Sequence, residues 1–344
     1  MELGLRGRVA LVAGASQGLG KAVAMEMSRE GARVVICALD DPELPRAVED
    51  IRQVAGGEII GIPADLSRAE DARGFVRKGI EHFGTVDILV SSSCTGFMIP
   101  AVDAHIANAL RLGPRLARLP ITEAGCAGGA VALARAADYV AAHPSAAALV
   151  LAVEFSSLTF QAGDASATNM VAAALFADGA GAAVLLGARH PAAGRSPLEF
   201  VSAASYFMTD SLGAMGYDVV DSGFKLVLDK RLPDFLRGKL RAMVIEFLGQ
   251  NDLTFDRVST FAIHPGGRRV LDVAEEELGL TPAQIEPSRS VLRDHGNMSS
   301  ATILFVLDRA LRTLAPGEFA LGIGFGPGFA IELSLWRGVA ARGR

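Results

Sequence analysis

The stretch Ile121-Thr122-Glu123-Ala124-Gly125-Cys126-Ala127-Gly128-Gly129-Ala130 decides how the chain reads. Ile121–Ala124 reads as a strand, and Ala130–Ala142 reads as a helix, so the glycines bracket an elbow between the two. Cys126 stands at that elbow. A thiol at a helix N-terminus faces free backbone amides that favour its thiolate, and a neighbouring imidazolium lowers its pKa further. The flanking glycines leave room for a bulky thioester. The same features suit a small buried hydrophobe at a tight turn, so this motif alone leaves both readings open.

Two later stretches bear on that choice. Phe261-Ala-Ile-His264-Pro-Gly-Gly267 puts an imidazole at the end of a predicted strand, Val258–Ile263. Asp294-His295-Gly296-Asn297-Met298-Ser299-Ser300 puts a carboxamide at the start of a predicted helix, Ser299–Leu314. A lone His is usually structural, and a lone Asn is usually a cap. Cys, His and Asn in this order, each where a strand and helix meet, are more specific than any one of them. Around them the expected elements are strands Ala147–Glu154 and Gly181–Gly187, then a second half opening at Pro197. That half has strand Glu199–Phe207, helix Pro233–Leu248, helix Gly267–Leu278, and strands near Phe319–Gly324 and Ile331–Trp336. Two similar halves suggest an internally duplicated α/β fold.

The first ninety residues follow another pattern. Strands Arg8–Ala13, Arg33–Ala38, Glu58–Pro63 and Val86–Ser91 alternate with helices Lys21–Glu30, Pro42–Val54 and Ala69–His82. This is βαβαβαβ, the pattern of a parallel sheet with helical crossovers. Gly14-x-x-x-Gly18-x-Gly20 falls where a strand turns into a helix, a place where glycines let backbone approach a pyrophosphate. The expected division is therefore 1–89, 90–196 with Cys126, and 197–344 with His264 and Asn297.

Composition narrows the function classes. Of 344 residues, half are hydrophobic and 21% are charged, which suits a compact globular chain rather than a disordered one. A net charge of −5 without a basic block argues against a nucleic-acid partner. The apolar runs Ala146–Val153 and Val171–Ala188 are too short or too interrupted to span a membrane. The amino terminus reads as a strand rather than a signal peptide. Three cysteines, Cys37, Cys94 and Cys126, form neither a zinc pattern nor a disulfide framework. A reducing cytoplasm is the expected compartment, with no metal.

The amino-terminal segment resembles the first half of a short-chain dehydrogenase/reductase, a Rossmann-like fold. The matching residues are Ala13-Gly14-Ala15-Ser16-x-Gly18-x-Gly20, Asp65-Leu66, and Phe83-Gly84-x-x-Asp87-Ile88-Leu89-Val90. The resemblance implies an NAD(P) site at Gly14, Ser16, Gly18 and Gly20, with Asp65 at the adenine. Leu39 stands where a basic residue would favour a 2′-phosphate. The family's Asn-Asn-Ala-Gly turn is replaced by Ser91-Ser92-Ser93-Cys94-Thr95-Gly96. Its Tyr-x-x-x-Lys pair, in which Lys lowers the tyrosine pKa for proton transfer, is missing. His143, Asp210 and Asp221 follow the three tyrosines at that spacing. Hydride-transfer catalysis is not expected.

From about Val86 onward the chain resembles the chalcone and stilbene synthases, the type III polyketide synthases, with a thiolase-like layered α/β fold. The matches are Ser93-Cys94-Thr95-Gly96-Phe97, Gly125-Cys126-Ala-Gly128-Gly129, Ala174-Leu175-Phe176-Ala177-Asp178-Gly179, His264-Pro-Gly-Gly267, Gly296-Asn297-Met298-Ser299-Ser300 and Gly324-Phe-Gly-Pro-Gly-Phe329. The resemblance implies that Cys126 carries the acyl chain from an acyl-CoA. His264 holds the thiolate as an ion pair, and His264 and Asn297 stabilise the enolate formed by malonyl-CoA decarboxylation. It also implies a homodimer. Phe176 and Leu226 would flank the junction of CoA tunnel and pocket, with Thr159, Ser156 and Cys94 lining the pocket. No cofactor is needed for that condensation. The dehydrogenase-like segment stands where the family has its own first strand and CoA-binding basic residues. A non-catalytic chimera and a nucleotide-binding module are therefore the alternatives.

Overall fold

A computed structural model describes residues 9–13, 21, 24–25, 28–29, 33–38, 43–55, 59–63 and 87–340. The chain divides into two compact units: Met1–Thr85 with His105–Pro114, and Val86–Ala104 with Arg115–Arg344. In the first, strands β1 (Val9–Ala13), β2 (Arg33–Ala38) and β3 (Ile59–Pro63) pair in parallel in the order β1-β2-β3. Lys21, Ala24, Met25, Ser28 and Arg29 are helical, and helix α1 runs over Glu43–Ala55. Leu44, Ala47 and Ile51, spaced three and four apart, give α1 one apolar face, which is buried with Val34, Ile36 and Ile59. Gly14, Ser16, Gly18, Gly20 and Asp65, expected to bind a nucleotide, lie outside the described residues, as does the helix expected at Ala69–His82.

The fourth strand of that run forms, but in the other unit. β4 (Ile88–Ser92) pairs in parallel with β5 (Ala117–Ile121) and with β6 (Ala147–Glu154), and β7 (Gly179–Leu186) lies antiparallel to β6. All five residues of β4 are buried, which fits a strand flanked on both sides. Helix α2 (Val102–Ala109) falls at the division between the units. Helices α3 (Gly128–Ala142) and α4 (Ala167–Leu175) complete this half.

The second sheet has the order β11-β12-β13-β8, from β8 (Leu198–Phe207), β11 (Val258–Ile263), β12 (Phe319–Gly326) and β13 (Ala330–Gly338). Between β8 and β11 come a hairpin, β9 (Met215–Val220) and β10 (Gly223–Leu228), and helix α5 (Leu240–Gly249). Helices α6 (Arg268–Leu278), α7 (Pro282–His295) and α8 (Thr302–Leu311) follow β11. Thr281 and Gln284 form a capping box at the head of α7, and left-handed Gly279 ends α6.

α3 and α8 lie in one core with the facing sides of both sheets: Ile88, Val90, Ala148 and Val150 from the first, Ala262 and Ala320 from the second. A helix held between two sheets needs small residues, and α3 supplies Ala132, Ala134 and Ala136 on its buried side. A second core packs α5, α6 and α7 on the far face of the second sheet.

Three local expectations needed correction. The strand before Cys126 ends at Ile121 rather than beginning there. The helix expected over Pro233–Leu248 is a 3₁₀ turn, Leu232–Leu236, and then α5; Gly238 at φ 69° interrupts it. The helix expected from Ser299 to Leu314 opens with a 3₁₀ turn over Ser299–Ala301 and ends at Leu311.

Candidate active site

Cys126 occupies a single 3₁₀ turn, Gly125–Ala127, that runs into α3. Gly125 has φ 54°, and a Cβ there would stand 2.4 Å from Pro327 Cδ, so both conformation and space require glycine. A Cβ on Gly128 would stand 2.0 Å from Ser92 Oγ, and one on Gly129 2.1 Å from the Ser300 carbonyl oxygen. The glycines of the elbow thus serve close packing of the two halves. They place Cys126 beside the turn that carries Ser299.

Asn297 precedes that turn and is 1% exposed. Its backbone N–H donates to Leu175 O and its carbonyl accepts from Ala177 N, both at 2.9 Å, bracketing Phe176. Its Oδ1 accepts from Ser299 N at 2.9 Å and from Thr302 Oγ1 at 3.4 Å. That assignment leaves the amide NH₂ as donor, and a side-chain hydrogen bond from Asn297 favours the Cys126 thiolate. Ser299 Oγ lies 3.4 Å from Cys126 Sγ and 3.2 Å from Cys94 Sγ. Cys94, Cys126 and Asn297 are therefore gathered around one serine.

His264 directly follows β11 and donates its backbone N–H to Ile323 O at 2.7 Å. The ring is 1% exposed, and neither nitrogen has a hydrogen-bond partner among the described residues. No hydrogen bond joins it to Cys126 or Asn297. Its neighbouring strand β12 reaches the cysteine turn, since Gly326 packs so closely that a Cβ would stand 2.5 Å from Ala127 Cβ.

Burial works against the ion pair expected. Burial pushes the Cys126 thiol up to about 11; hydrogen bonding from Ser299 and Asn297 acts the other way, and the Glu154 charge adds to the rise. Burial lowers His264 to about 4. Burial thus favours the neutral form of both the thiol and the imidazole. The Cys94 thiol is raised further, by burial and then by Glu154.

Glu154, not singled out in the sequence, anchors the strand ends. It is fully buried at the end of β6. One carboxylate oxygen accepts from Cys94 N (3.0 Å), Thr95 N (3.2 Å) and Thr95 Oγ1 (2.8 Å), and the other accepts from Ser300 Oγ. This ties β4, β6 and the Asn297 turn together, and a buried carboxylate so satisfied is stable where an unpaired one is not.

The expected pocket residues divide. Thr159 donates to Ser156 O at 2.8 Å. Ser156 is buried, with its hydroxyl unpartnered. Leu226 is half-buried on β10, directly opposite Tyr217 of β9. Tyr217 went unrecognised in the sequence. Burial raises its hydroxyl pKa, charge on Cys94 and Cys126 raises it further, and a hydrogen bond with Thr159 opposes this. Its pairing opposite Leu226 and its hydrogen bond with Thr159 set the tyrosine beside two of the expected pocket residues. The signal available was the hairpin: Asp221-Ser222 between runs with apolar residues at alternate positions.

Among the described residues, no three His, Cys, Asp or Glu side chains gather as a metal site needs. No described helix is long and apolar enough to cross a membrane.

Fold and site together define a layered α/β protein with a cysteine-centred site at the meeting of two sheets. The family models of chalcone and stilbene synthases match residues 69–190 (N-terminal domain) and 199–340 (C-terminal domain). The short chain dehydrogenase model matches residues 8–108. A putative chalcone synthase of Bacillus subtilis is 37% identical over 279 residues, covering 77% of this chain and 76% of that protein. A 1,3,6,8-tetrahydroxynaphthalene synthase of Streptomyces peucetius is 36% identical over 274 residues, 79% of this chain and 71% of that protein. The solved 1,3,6,8-tetrahydroxynaphthalene synthase of Streptomyces coelicolor A3(2), a bacterial type III polyketide synthase, superposes with a TM-score of 0.72 at 28% identity, covering 93% of this chain and 95% of that one. The chain belongs to the chalcone and stilbene synthase family of type III polyketide synthases.

Proposed function

We propose that the protein is an acyltransferase that extends an acyl-CoA starter, held on Cys126, by decarboxylative Claisen condensation with malonyl-CoA. The observation that carries the reading is the Cys126–Ser299–Asn297 cluster at the head of a buried helix, with unpartnered His264 on the adjoining sheet. With thiol and imidazole both neutral at rest, the proton leaves the thiol as sulfur attacks the thioester. His264 receives it and returns it to the departing CoA thiolate. Malonyl-CoA then loses CO₂, and its thioester oxygen becomes an enolate oxyanion. The Asn297 amide and the His264 N–H are the donors for that oxygen, where aimed dipoles act most strongly. The enolate carbon attacks the acyl group on Cys126, forming a C–C bond and freeing the sulfur. Phe176, Leu226, Tyr217, Thr159, Ser156 and Cys94 shape the space for the growing chain.

Mass spectrometry after incubation with acyl-CoAs tests the first step: Cys126 gains an acyl mass. Adding malonyl-CoA then releases CoA and CO₂ above a Cys126→Ala control. If neither is released above that control, the reading is wrong.

The homodimer of the resemblance is also proposed. Phe97, Met98 and Ile99, on the loop after β4, are 73%, 51% and 83% exposed, and Phe155, Leu158 and Phe160 are exposed as well. So many large apolar side chains in the open suit an interface. Sedimentation of the wild type as a dimer and of Ile99→Arg as a monomer is the expected result. For the first unit, the match to short chain dehydrogenases over 8–108 favours a second, limited reading, nucleotide binding without hydride transfer. Titration with NADH and NADPH followed by fluorescence tests it. The cytoplasm is the compartment proposed, consistent with Cys94 and Cys126 as free thiols.

A further inference from the structure

We propose that Gln161 is a positioning residue: it fixes the β9–β10 hairpin as a wall of the pocket and so limits how many malonyl units the growing chain takes up. The assignment rests on the condensing reading above. The hairpin carries Tyr217 and Leu226, which pair directly opposite each other. Among the described residues, β9 and β10 pair only with one another. A two-stranded hairpin without a third strand is marginally stable in water, so its position depends on what grips it. The grip comes from the first half of the unit. Gln161 lies two residues beyond the 3₁₀ turn Ser156–Thr159, whose last residue hydrogen-bonds with Tyr217.

Gln161 is 8% exposed. Its Nε2 donates to Phe224 O at 3.1 Å and reaches Ser222 O at 3.5 Å, while its Oε1 accepts from Ser222 Oγ. Carbonyl oxygens only accept, so these two fix which way the carboxamide turns. Gly223, between them, has φ 114°, a conformation that favours glycine. The carboxamide thus holds the head of β10 on both sides of its turn. Gln161 is held in its own place by α4. Its carbonyl accepts from Asn169 Nδ2 at 2.8 Å, and the same nitrogen donates to Asp164 O at 2.7 Å. The other link between loop and hairpin, Lys225 to Asp164 at 3.1 Å, leaves the lysine side chain half in solvent and contributes little. Phe224 and Leu226 alternate onto one face of β10, and the Phe224 ring lies 5.8 Å from the Tyr217 ring. The bond at Phe224 O therefore acts beside the wall residues themselves. A fixed wall ends chain growth when the pocket is full. A wall released from Gln161 yields to the chain that presses on it and admits further units.

Gln161→Met, similar in length but without the hydrogen bonds, tests the assignment in the full chain by two readouts. Amide hydrogen exchange over Met215–Leu228 should quicken about tenfold, while exchange in β6 and β11 stays as in the wild type. Mass spectrometry of the products should show a shift toward longer chains, with malonyl-CoA decarboxylation unchanged. Ser222→Ala, which removes the hydroxyl bond alone, should give a smaller shift in the same direction, and it carries the test if Gln161→Met does not fold. Lys225→Met should keep the wild-type distribution. A merely structural role would lower the melting temperature and the total yield without altering the ratio of chain lengths. Unchanged exchange in the hairpin, or faster exchange with an unchanged product ratio, overturns the assignment. A wild type that forms no product overturns the condensing reading and with it the role in chain length. The exchange data, which need no turnover, tell that outcome apart from a failure of Gln161 to hold the hairpin.

Discussion

The two sheets of the larger unit are built alike and finished differently. Each has a parallel pair followed by an antiparallel strand: β4, β6 and β7 in the first, β11, β12 and β13 in the second. Each sends a helix into the space between the sheets, and each such helix opens with a 3₁₀ turn beside a reactive side chain, Cys126 at α3 and Asn297 at α8. The second half adds β8 outside β13, and α5, α6 and α7 cover its far face. In the first half, no described strand pairs outside β7. The corresponding face, Leu149, Leu151 and Val153 of β6, is half-buried, and Ala180, Ala182 and Val184 of β7 are exposed. The inner layer, which positions the chemistry, is complete in both halves. Among the described residues of the larger unit, the outer layer of helices is present on the second sheet.

Removing the inner-layer groups should have the largest effects. Cys126→Ala should abolish condensation and acyl labelling, and Asn297→Ala should lower the decarboxylation rate on the order of 10²–10³-fold. Retained decarboxylation in the asparagine variant, measured as CO₂ release, would remove Asn297 from the oxyanion site. The outer layers come next. Leu333 is 1% exposed in the covered face, so Leu333→Ala should cost about 2–5 kcal/mol. Val184 is 51% exposed, and Val184→Ala should change stability by no more than about 0.5 kcal/mol. Urea midpoints for the two variants check the contrast, and similar losses would mean that the first face is covered in solution.

A pH series separates the halves next. Burial holds His264 at about 4 in the folded protein, below the ordinary 6.5. Between those values the unfolded chain binds the proton and the folded chain does not, so stability falls as pH drops from 6.5 through 4. The loss reaches about 3 kcal/mol near pH 4. His264→Gln lacks this dependence, so the stability difference between wild type and variant should narrow by that amount on acidification. A difference independent of pH would mean that the imidazole titrates normally.

Legibility in the sequence followed the same layering. Strands β2, β6 and β11 fall where short runs rich in apolar and β-branched residues placed them, because such a run marks a strand before its partners are known. The cysteine elbow was readable because Gly125, Gly128 and Gly129 answer to contacts a side chain would violate. The sheet to which β4 belongs was not readable, since an apolar strand after a helix suits either unit and pairing partners lie elsewhere in the chain. Glu154 was hidden for another reason: its acceptors are filled mainly by backbone and hydroxyl groups from β4 and the Asn297 turn, which only the fold assembles. The pull of burial toward a neutral thiol and imidazole was equally invisible, because desolvation depends on burial rather than on spacing.

The smallest expected effect tests how the halves communicate. Ser299 belongs to the second half, yet its hydroxyl faces two thiols of the first, Cys126 at 3.4 Å and Cys94 at 3.2 Å. A hydroxyl has one proton to donate, so the thiols compete for it. The Ser299 hydrogen bond favours the thiolate form of each. Ser299→Ala should therefore raise the Cys126 pKa further and slow its alkylation by iodoacetamide at pH 8 about threefold, less than 1 kcal/mol. Cys94→Ala should act oppositely: it frees the serine for Cys126 and removes one competing group, so alkylation quickens by a similar factor. In the double variant that acceleration should vanish, because the serine through which Cys94 acts is gone. The non-additivity is the measurement, read as a double-mutant cycle. If Cys94→Ala accelerates labelling equally with and without Ser299, the thiols interact by direct repulsion and the serine is only a neighbour. A rate that climbs about tenfold per pH unit up to pH 10 in the wild type would show the neutral thiol directly, whereas a plateau above pH 6 would restore the ion pair.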